Sequence, residues 1–201
     1  MQIPFLMPAK VSFMGLAKNW RAWELMAAGV TLWCVWLTAK AHVACWPVGI
    51  LGCLLYSLIF YRSRLYSDVL LQLYFLITGI YGWYNWLFGG SDQTQLAVRS
   101  LSGLERIGML LLVLAGTLLL GRIMRRTRAA LPFADAGTTA LSLVAQYLLT
   151  EMYWENWVFW IVADIVDTGI YFSRRLYVTS LLYFLLLILA IKGLLEWLHK
   201  I

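Results

Sequence analysis

Apolar residues run through this chain in long blocks, and charged or turn-forming residues interrupt them at regular intervals. Reading for such blocks gives seven helical spans near 22–40, 44–62, 66–88, 101–121, 132–150, 154–172 and 176–198. Each approaches the ~20 residues that a helix needs to cross a bilayer. The Gly89-Gly90-Ser91-Asp92 cluster marks one turn, and the basic stretch from Arg122 to Arg128, followed by Pro132, marks another. Residues 1–21 read as a cytoplasmic or interfacial lead-in. Pro4 and Pro8 break its apolar run, Lys10 and Lys18 follow, and no small-residue cleavage site appears.

The spans also repeat. Residues 46–87 overlie residues 157–198 without a gap at a constant offset of 111, the distance from Trp46 to Trp157. Arg64-Leu65-Tyr66 falls on Arg175-Leu176-Tyr177, Gly82 on Gly193, and Trp86-Leu87 on Trp197-Leu198. Apolar composition alone would not align that triplet, a glycine and two tryptophans together. The offset covers four spans, an even number, so both copies cross the bilayer in the same direction. Parallel repeats of this kind occur among transporters. The expected fold is an all-α integral membrane protein in a three-one-three arrangement. Three-helix repeats lie at 22–88 and 132–198, and a linker helix at 101–121 returns the chain to its starting side.

Composition supports a membrane setting: 62% of the 201 residues are hydrophobic and 13% are charged, against roughly 25% charged in a soluble domain. Seven spans leave no room for a soluble catalytic domain. The net charge of +6 is assigned to orientation rather than to nucleic acid, because cytoplasmic loops collect Lys and Arg. With the N-terminus inside, the cytoplasmic segments hold Lys10, Lys18, Arg21, Arg62, Arg64, Arg122, Arg125, Arg126, Arg128, Arg174 and Arg175, eleven of the 16 basic residues. The opposite side holds mainly Lys40, Arg99 and Lys200 with the acids Asp92, Glu151 and Glu155. The expectation is therefore N-in and C-out. Cys34, Cys45 and Cys53 form no CxxC pair and read as small buried hydrophobes. His42 and His199 have no partnering ligand pattern, so no metal or other cofactor is expected. Nor is there a P-loop, an H-E-x-x-H or a nucleophile–base pair to suggest an enzyme.

Charge inside a span costs ~2.5 kcal/mol or more at the bilayer centre, which makes an intramembrane acid a functional candidate. Asp164 and Asp167 lie on one face of the sixth span, with Trp160 one turn before Asp164. Trp157 and Tyr171 extend that stripe. Gln72 lies a turn inside the third span and brings two donors and an acceptor to satisfy. Asp68, near Arg64, reads as half of a structural ion pair. Across the repeat, Asp164 matches Cys53, Asp167 matches Tyr56 and Trp160 matches Gly49. Such divergence suits one asymmetric ligand held between the halves. A flat aromatic cation fits, because indole faces attract cations and a carboxylate balances the charge.

The segments W-P-V-G-I-L-G (46–52), F-Y-R-S-R-L-Y-S-D-V-L-L-Q (60–72), I-Y-G-W-Y-N-W (80–86) and E-N-W-V-F-W-I-V-A-D (155–164), with R-L-Y (175–177), resemble the PnuC family of vitamin transporters. The resemblance covers nearly the whole chain. It implies a helix arrangement like that of a full-length SWEET sugar transporter, a homotrimer in the bacterial inner membrane, and facilitated uptake of a vitamin trapped afterwards by cytoplasmic phosphorylation. Nicotinamide riboside is the leading substrate, thiamine the alternative, and riboflavin belongs to a sister branch. The family's glutamine on span three matches Gln72 and its tryptophan on span six matches Trp160. Where members that carry nicotinamide riboside place an asparagine four residues later, this chain has Asp164, which suits either cationic aromatic. The candidate substrate-binding set is therefore Trp160, Asp164, Gln72 and Asp167, with Tyr56, the counterpart of Asp167, and Trp46 and Asn156 from the matched motifs.

Overall fold

The computed structural model describes residues 17–62, 66–90, 96–126 and 131–201. Its helices are α1 (Ala17–Ala39), α2 (Cys45–Arg62), α3 (Tyr66–Phe88), α4 (Gly103–Met124), α5 (Pro132–Thr150), α6 (Asn156–Ser173) and α7 (Tyr177–Leu198). The lead-in through residue 16, Arg64-Leu65, Ser91-Asp92 and Arg128 lie outside the described residues, and with them the Asp68–Arg64 pair. No strand occurs among the described residues; Arg99 and Tyr153 form an isolated bridge.

α3 and α5 coincide with the expected spans. α1 starts at Ala17 rather than 22, and α4 continues to Met124 rather than stopping at 121. A helix need not end where its first basic residue appears, because Arg lays its aliphatic stem along the surface and carries its head to the polar boundary. The start of α4 is set by a capping box. The Ser102 hydroxyl accepts from the Glu105 N–H, and the Glu105 carboxylate accepts from the Ser102 N–H at 2.7 Å.

Cys45–Arg62, Gly103–Met124 and Tyr177–Leu198 are each long and apolar enough to cross a membrane by themselves. α3, α5 and α6 are less apolar because they carry interior polar residues such as Gln72, Gln146, Asp164 and Asp167. On α5, Thr138, Ser142, Gln146 and Thr150 form a buried stripe at helical spacing. α4 is the opposite case. It packs on α5, where Gly116 meets Ala140 and Gly121 meets Phe133, and Gly121 is its one buried residue.

Helices α1, α2 and α3 pack in sequence, as do α5, α6 and α7, and the two groups meet through α1 against α7 and α3 against α5. Around that seam, contacts recur at the 111-residue offset. Trp46 packs edge-on to Trp86 at 5.2 Å, and Trp157 packs edge-on to Trp197 at 5.7 Å. Trp86 also lies 5.8 Å from Trp197, which joins the two pairs. The Trp86 indole N–H donates to the Leu149 carbonyl at 3.0 Å, and the Trp197 indole N–H donates to the Thr38 carbonyl at 3.0 Å. Thr38 and Leu149 are themselves 111 apart. The turns after α1 and α5 match as well: Ala41 (φ 52°) and Met152 (φ 55°) both adopt the left-handed conformation. Their N–H groups donate to the Thr38 and Leu149 carbonyls.

Two glycines let the indoles close on their helices. A Cβ on Gly82 would lie under 3.0 Å from Trp46 ring carbons, and one on Gly193 equally close to Trp157. Overpacking of a filled core costs about 1–3 kcal/mol. Gly82→Ala and Gly193→Ala should therefore each lower the melting temperature in detergent, while Gly103→Ala, with open space around it, should not. Equal melting temperatures for all three variants would show that the indole–glycine contacts do not govern packing.

Candidate functional site

Beneath the tryptophan seam lies a cavity of about 60 Å³. Its walls come from both halves of the chain and are paired at the same offset. Trp46 faces across from Trp157, Phe75 from Leu186, Gly79 from Ala190 and Thr38 from Leu149, all of them lining residues. Three further pairs differ in character: Val35 is matched by Gln146, Gly49 by Trp160, and Cys53 by Asp164. One wall is thus small and apolar, and the other offers an amide, an indole and a carboxyl group. Cys34 and Cys45 complete the apolar side, and the Cys34 thiol donates to the Cys45 carbonyl at 3.2 Å.

The helices position these groups by simple periodicity. Trp157, Trp160 and Asp164 lie one turn apart along α6 and enter the cavity together. Asp164 is 6% exposed, and Gln146, on α5, is 7% exposed. No basic side chain lines the cavity, and Asp164 has no ion-pair partner among the described residues. An acid with no countercharge, flanked by indole surfaces, has chemistry that suits an aromatic cation. No group of three or more metal-ligating side chains occurs among the described residues.

The cavity brings together Trp46, Trp160 and Asp164 of the expected set. Gln72, Asp167 and Tyr56 lie about one turn further along their helices, towards the end where Arg62 and Arg174 sit. Gln72 is fully buried, and neither of its amide atoms has a hydrogen-bond partner among the described residues. Asp167 is buried on α6, with the Thr138 hydroxyl of α5 as a polar neighbour. Tyr56 stacks on Phe60 at 5.5 Å in a second core cluster with Leu182 and Tyr183. Asn156 belongs to the α6 start, where its amide donates to the Tyr153 carbonyl at 2.6 Å. Sequence reasoning missed Gln146 and the cavity role of the cysteines. The available signal was an amide on the same helical stripe as Thr138, Ser142 and Thr150.

Opposite the arginine-rich end, residues 96–102 strap the α5–α6 turn. The Arg99 N–H donates to the Met152 carbonyl at 3.0 Å, and the Trp154 N–H donates to the Arg99 carbonyl at 3.1 Å. Arg99 pairs with Glu151 and stacks over Tyr153, and Arg106 pairs at 3.0 Å with the buried Glu155.

The chain is similar in sequence and in fold to known vitamin transporters. The nicotinamide riboside transporter PnuC of Escherichia coli (strain K12) is 26% identical over 198 residues, covering 84% of this chain and 82% of that protein. The nicotinamide riboside transporter PnuC of Neisseria mucosa is 24% identical over 157 residues, covering 75% and 60%. The riboflavin/roseoflavin transporter RibM of Streptomyces davaonensis is 24% identical over 156 residues, covering 76% and 73%. The crystal structure of the vitamin B3 transporter PnuC shares the fold, with a TM-score of 0.69 and 22% identity over 92% of this chain and 84% of that one. Residues 21–199 match the family described as nicotinamide mononucleotide transporter, and this chain belongs to that family.

Proposed function

We propose that this protein carries nicotinamide riboside inward across a bacterial cytoplasmic membrane by facilitated diffusion, with phosphorylation in the cytoplasm trapping the product. The observation that carries this reading is the uncompensated Asp164 carboxyl group beside Trp46, Trp157 and Trp160. A pyridinium ring offers what that wall lacks, a positive charge on a flat aromatic face. The same electrostatics favour the riboside over the mononucleotide in the family's description. A phosphate monoester carries about −1.5 to −2 charges at pH 7, and the cavity supplies an acid and no Lys or Arg. Thiamine also suits the acid, but the relatives described above carry nicotinamide riboside or riboflavin in their names, which favours the riboside.

Drug-sized ligands occupy sites of about 300–1,000 Å³, so a cavity of about 60 Å³ admits a nucleoside only when its walls separate. The matched contacts across the seam support a three-one-three parallel repeat of SWEET type, with each half moving as a unit against the other. Gln72, Asp167 and Tyr56 then line the exit towards the cytoplasm. The arginines at the ends of α2, α4 and α6 support an N-terminus inside and a C-terminus outside. The homotrimer implied by the resemblance is part of this reading, and native mass spectrometry of the detergent-solubilised protein tests it.

Transport itself is tested in proteoliposomes. Labelled nicotinamide riboside should equilibrate to the external concentration and exceed it only when a riboside kinase and ATP are enclosed. Accumulation of free riboside driven by a pH gradient alone would overturn the facilitator reading. Orientation is tested by cysteine labelling, which should find residues 122–131 in the cytoplasm and 89–98 outside; labelling of the first segment from outside would reverse the topology.

Charge recognition has its own test. The resemblance places an asparagine at this position in members that carry nicotinamide riboside, so Asp164→Asn should leave nicotinamide riboside binding nearly unchanged by calorimetry. In the thiamine reading the same substitution removes a charge-assisted interaction worth about 1.5–3 kcal/mol, roughly ten- to a hundredfold in affinity. A loss of thiamine binding on that scale, with nicotinamide riboside unaffected, would overturn the riboside reading.

A further inference from the structure

On the buried stripe of α5, every neighbour of Gln146 satisfies its polar atoms within the helix. The Thr138 hydroxyl donates to the Asp135 carbonyl, Ser142 to Thr138 at 2.8 Å, and Thr150 to Tyr147 at 2.7 Å. Gln146 is the exception. Its amide has no hydrogen-bond partner among the described residues, although the residue is 93% buried and lines the cavity. Its counterpart across the repeat, Val35, lines the opposite wall and makes no polar demand. The Gln146 amide offers two donors and an acceptor to whatever occupies the cavity.

We propose that Gln146 is the specificity residue that selects a carboxamide on the cationic ring, its own amide pairing with the ligand's while Asp164 takes the positive charge. This rests on the riboside reading above and adds the chemical group that the site recognises. A carboxamide presents one C=O acceptor and an NH₂ donor, the complement of the Gln146 donor and acceptor, so two hydrogen bonds close a planar amide pair. A carboxylate in its place would only accept. It would leave the Gln146 carbonyl without a donor and would set a negative charge near Asp164. The ligand class is therefore an aromatic cation bearing a neutral carboxamide, with its acid analogue rejected.

The test pairs a change in the protein with the matching change in the ligand. Calorimetry measures nicotinamide riboside and pyridinium riboside, which lacks the carboxamide, on wild type and on Gln146→Met. Loss of the amide pair should weaken nicotinamide riboside about tenfold or more on the variant and leave pyridinium riboside within about twofold. Gln146→Leu repeats the measurement should the Met variant fail to fold, with the melting temperature of each variant reporting folding. An equal loss for both ligands would assign Gln146 a structural role and overturn the inference, as would no loss for either, and in both cases the riboside reading stands. Wild type that binds neither ligand would overturn the riboside reading and this inference with it.

Discussion

Two indole hydrogen bonds hold the halves of this molecule together, and the cavity depends on them. A buried N–H inside a bilayer has no water to turn to and must find its acceptor within the protein. Trp86 and Trp197 find theirs at Leu149 and Thr38, at the ends of α5 and α1. Each carbonyl also accepts from the N–H of the turn after its helix, Ala41 at Thr38 and Met152 at Leu149, so the indoles take up the second lone pair of an acceptor at a helix end. Because each tryptophan reaches across to the other half, the bonds fix the distance between the halves as well as the helix ends. The remaining two indoles, Trp46 and Trp157, press onto glycine in their own halves and become the upper wall of the cavity.

The polar residues are concentrated where function requires them. α4 is strongly apolar and exposed on nearly every side, as a lipid-facing helix should be. α3, α5 and α6 carry amides and acids inward and have correspondingly less apolar sequences. Hydroxyls on α5 return their protons to their own helix, which keeps that helix compatible with a dry interior. Gln72, whose amide atoms have no hydrogen-bond partner among the described residues, lies next to the cavity that Gln146 and Asp164 line.

Much of the fold was legible in the sequence because bilayer spans are bounded by physics that leaves marks: charge, glycine and proline. Helix ends were misread where an arginine remained inside a helix, as at Arg122. The offset of 111 was visible from Gly82 and Gly193 and the tryptophans, but the matched turns were not. Ala41 and Met152 share a left-handed backbone, and Thr38 and Leu149 share a carbonyl that accepts an indole N–H from the other half, properties that side-chain identity does not encode. In the site, Trp160 and Asp164 were legible because an acid one turn from an indole is rare in a span. Asn156 was not legible as a helix-start contact, since its partner is a carbonyl of the preceding turn. Gln146 was passed over because three satisfied hydroxyls share its stripe and make it look like one more helix-packing residue.

The four tryptophans of the seam have an optical consequence. Trp46, Trp86, Trp197 and Trp157 form a continuous series with ring centroids 5.2–5.8 Å apart. At such separations the indole transition dipoles couple, and in the chiral setting of the fold that coupling contributes to the circular dichroism. The central step, Trp86 to Trp197, is the one that crosses between halves. Any displacement of one half against the other changes that step first, while the outer pairs travel with their own glycines. The near-ultraviolet circular dichroism of the protein therefore contains a built-in gauge of the opening of its seam, readable without a label.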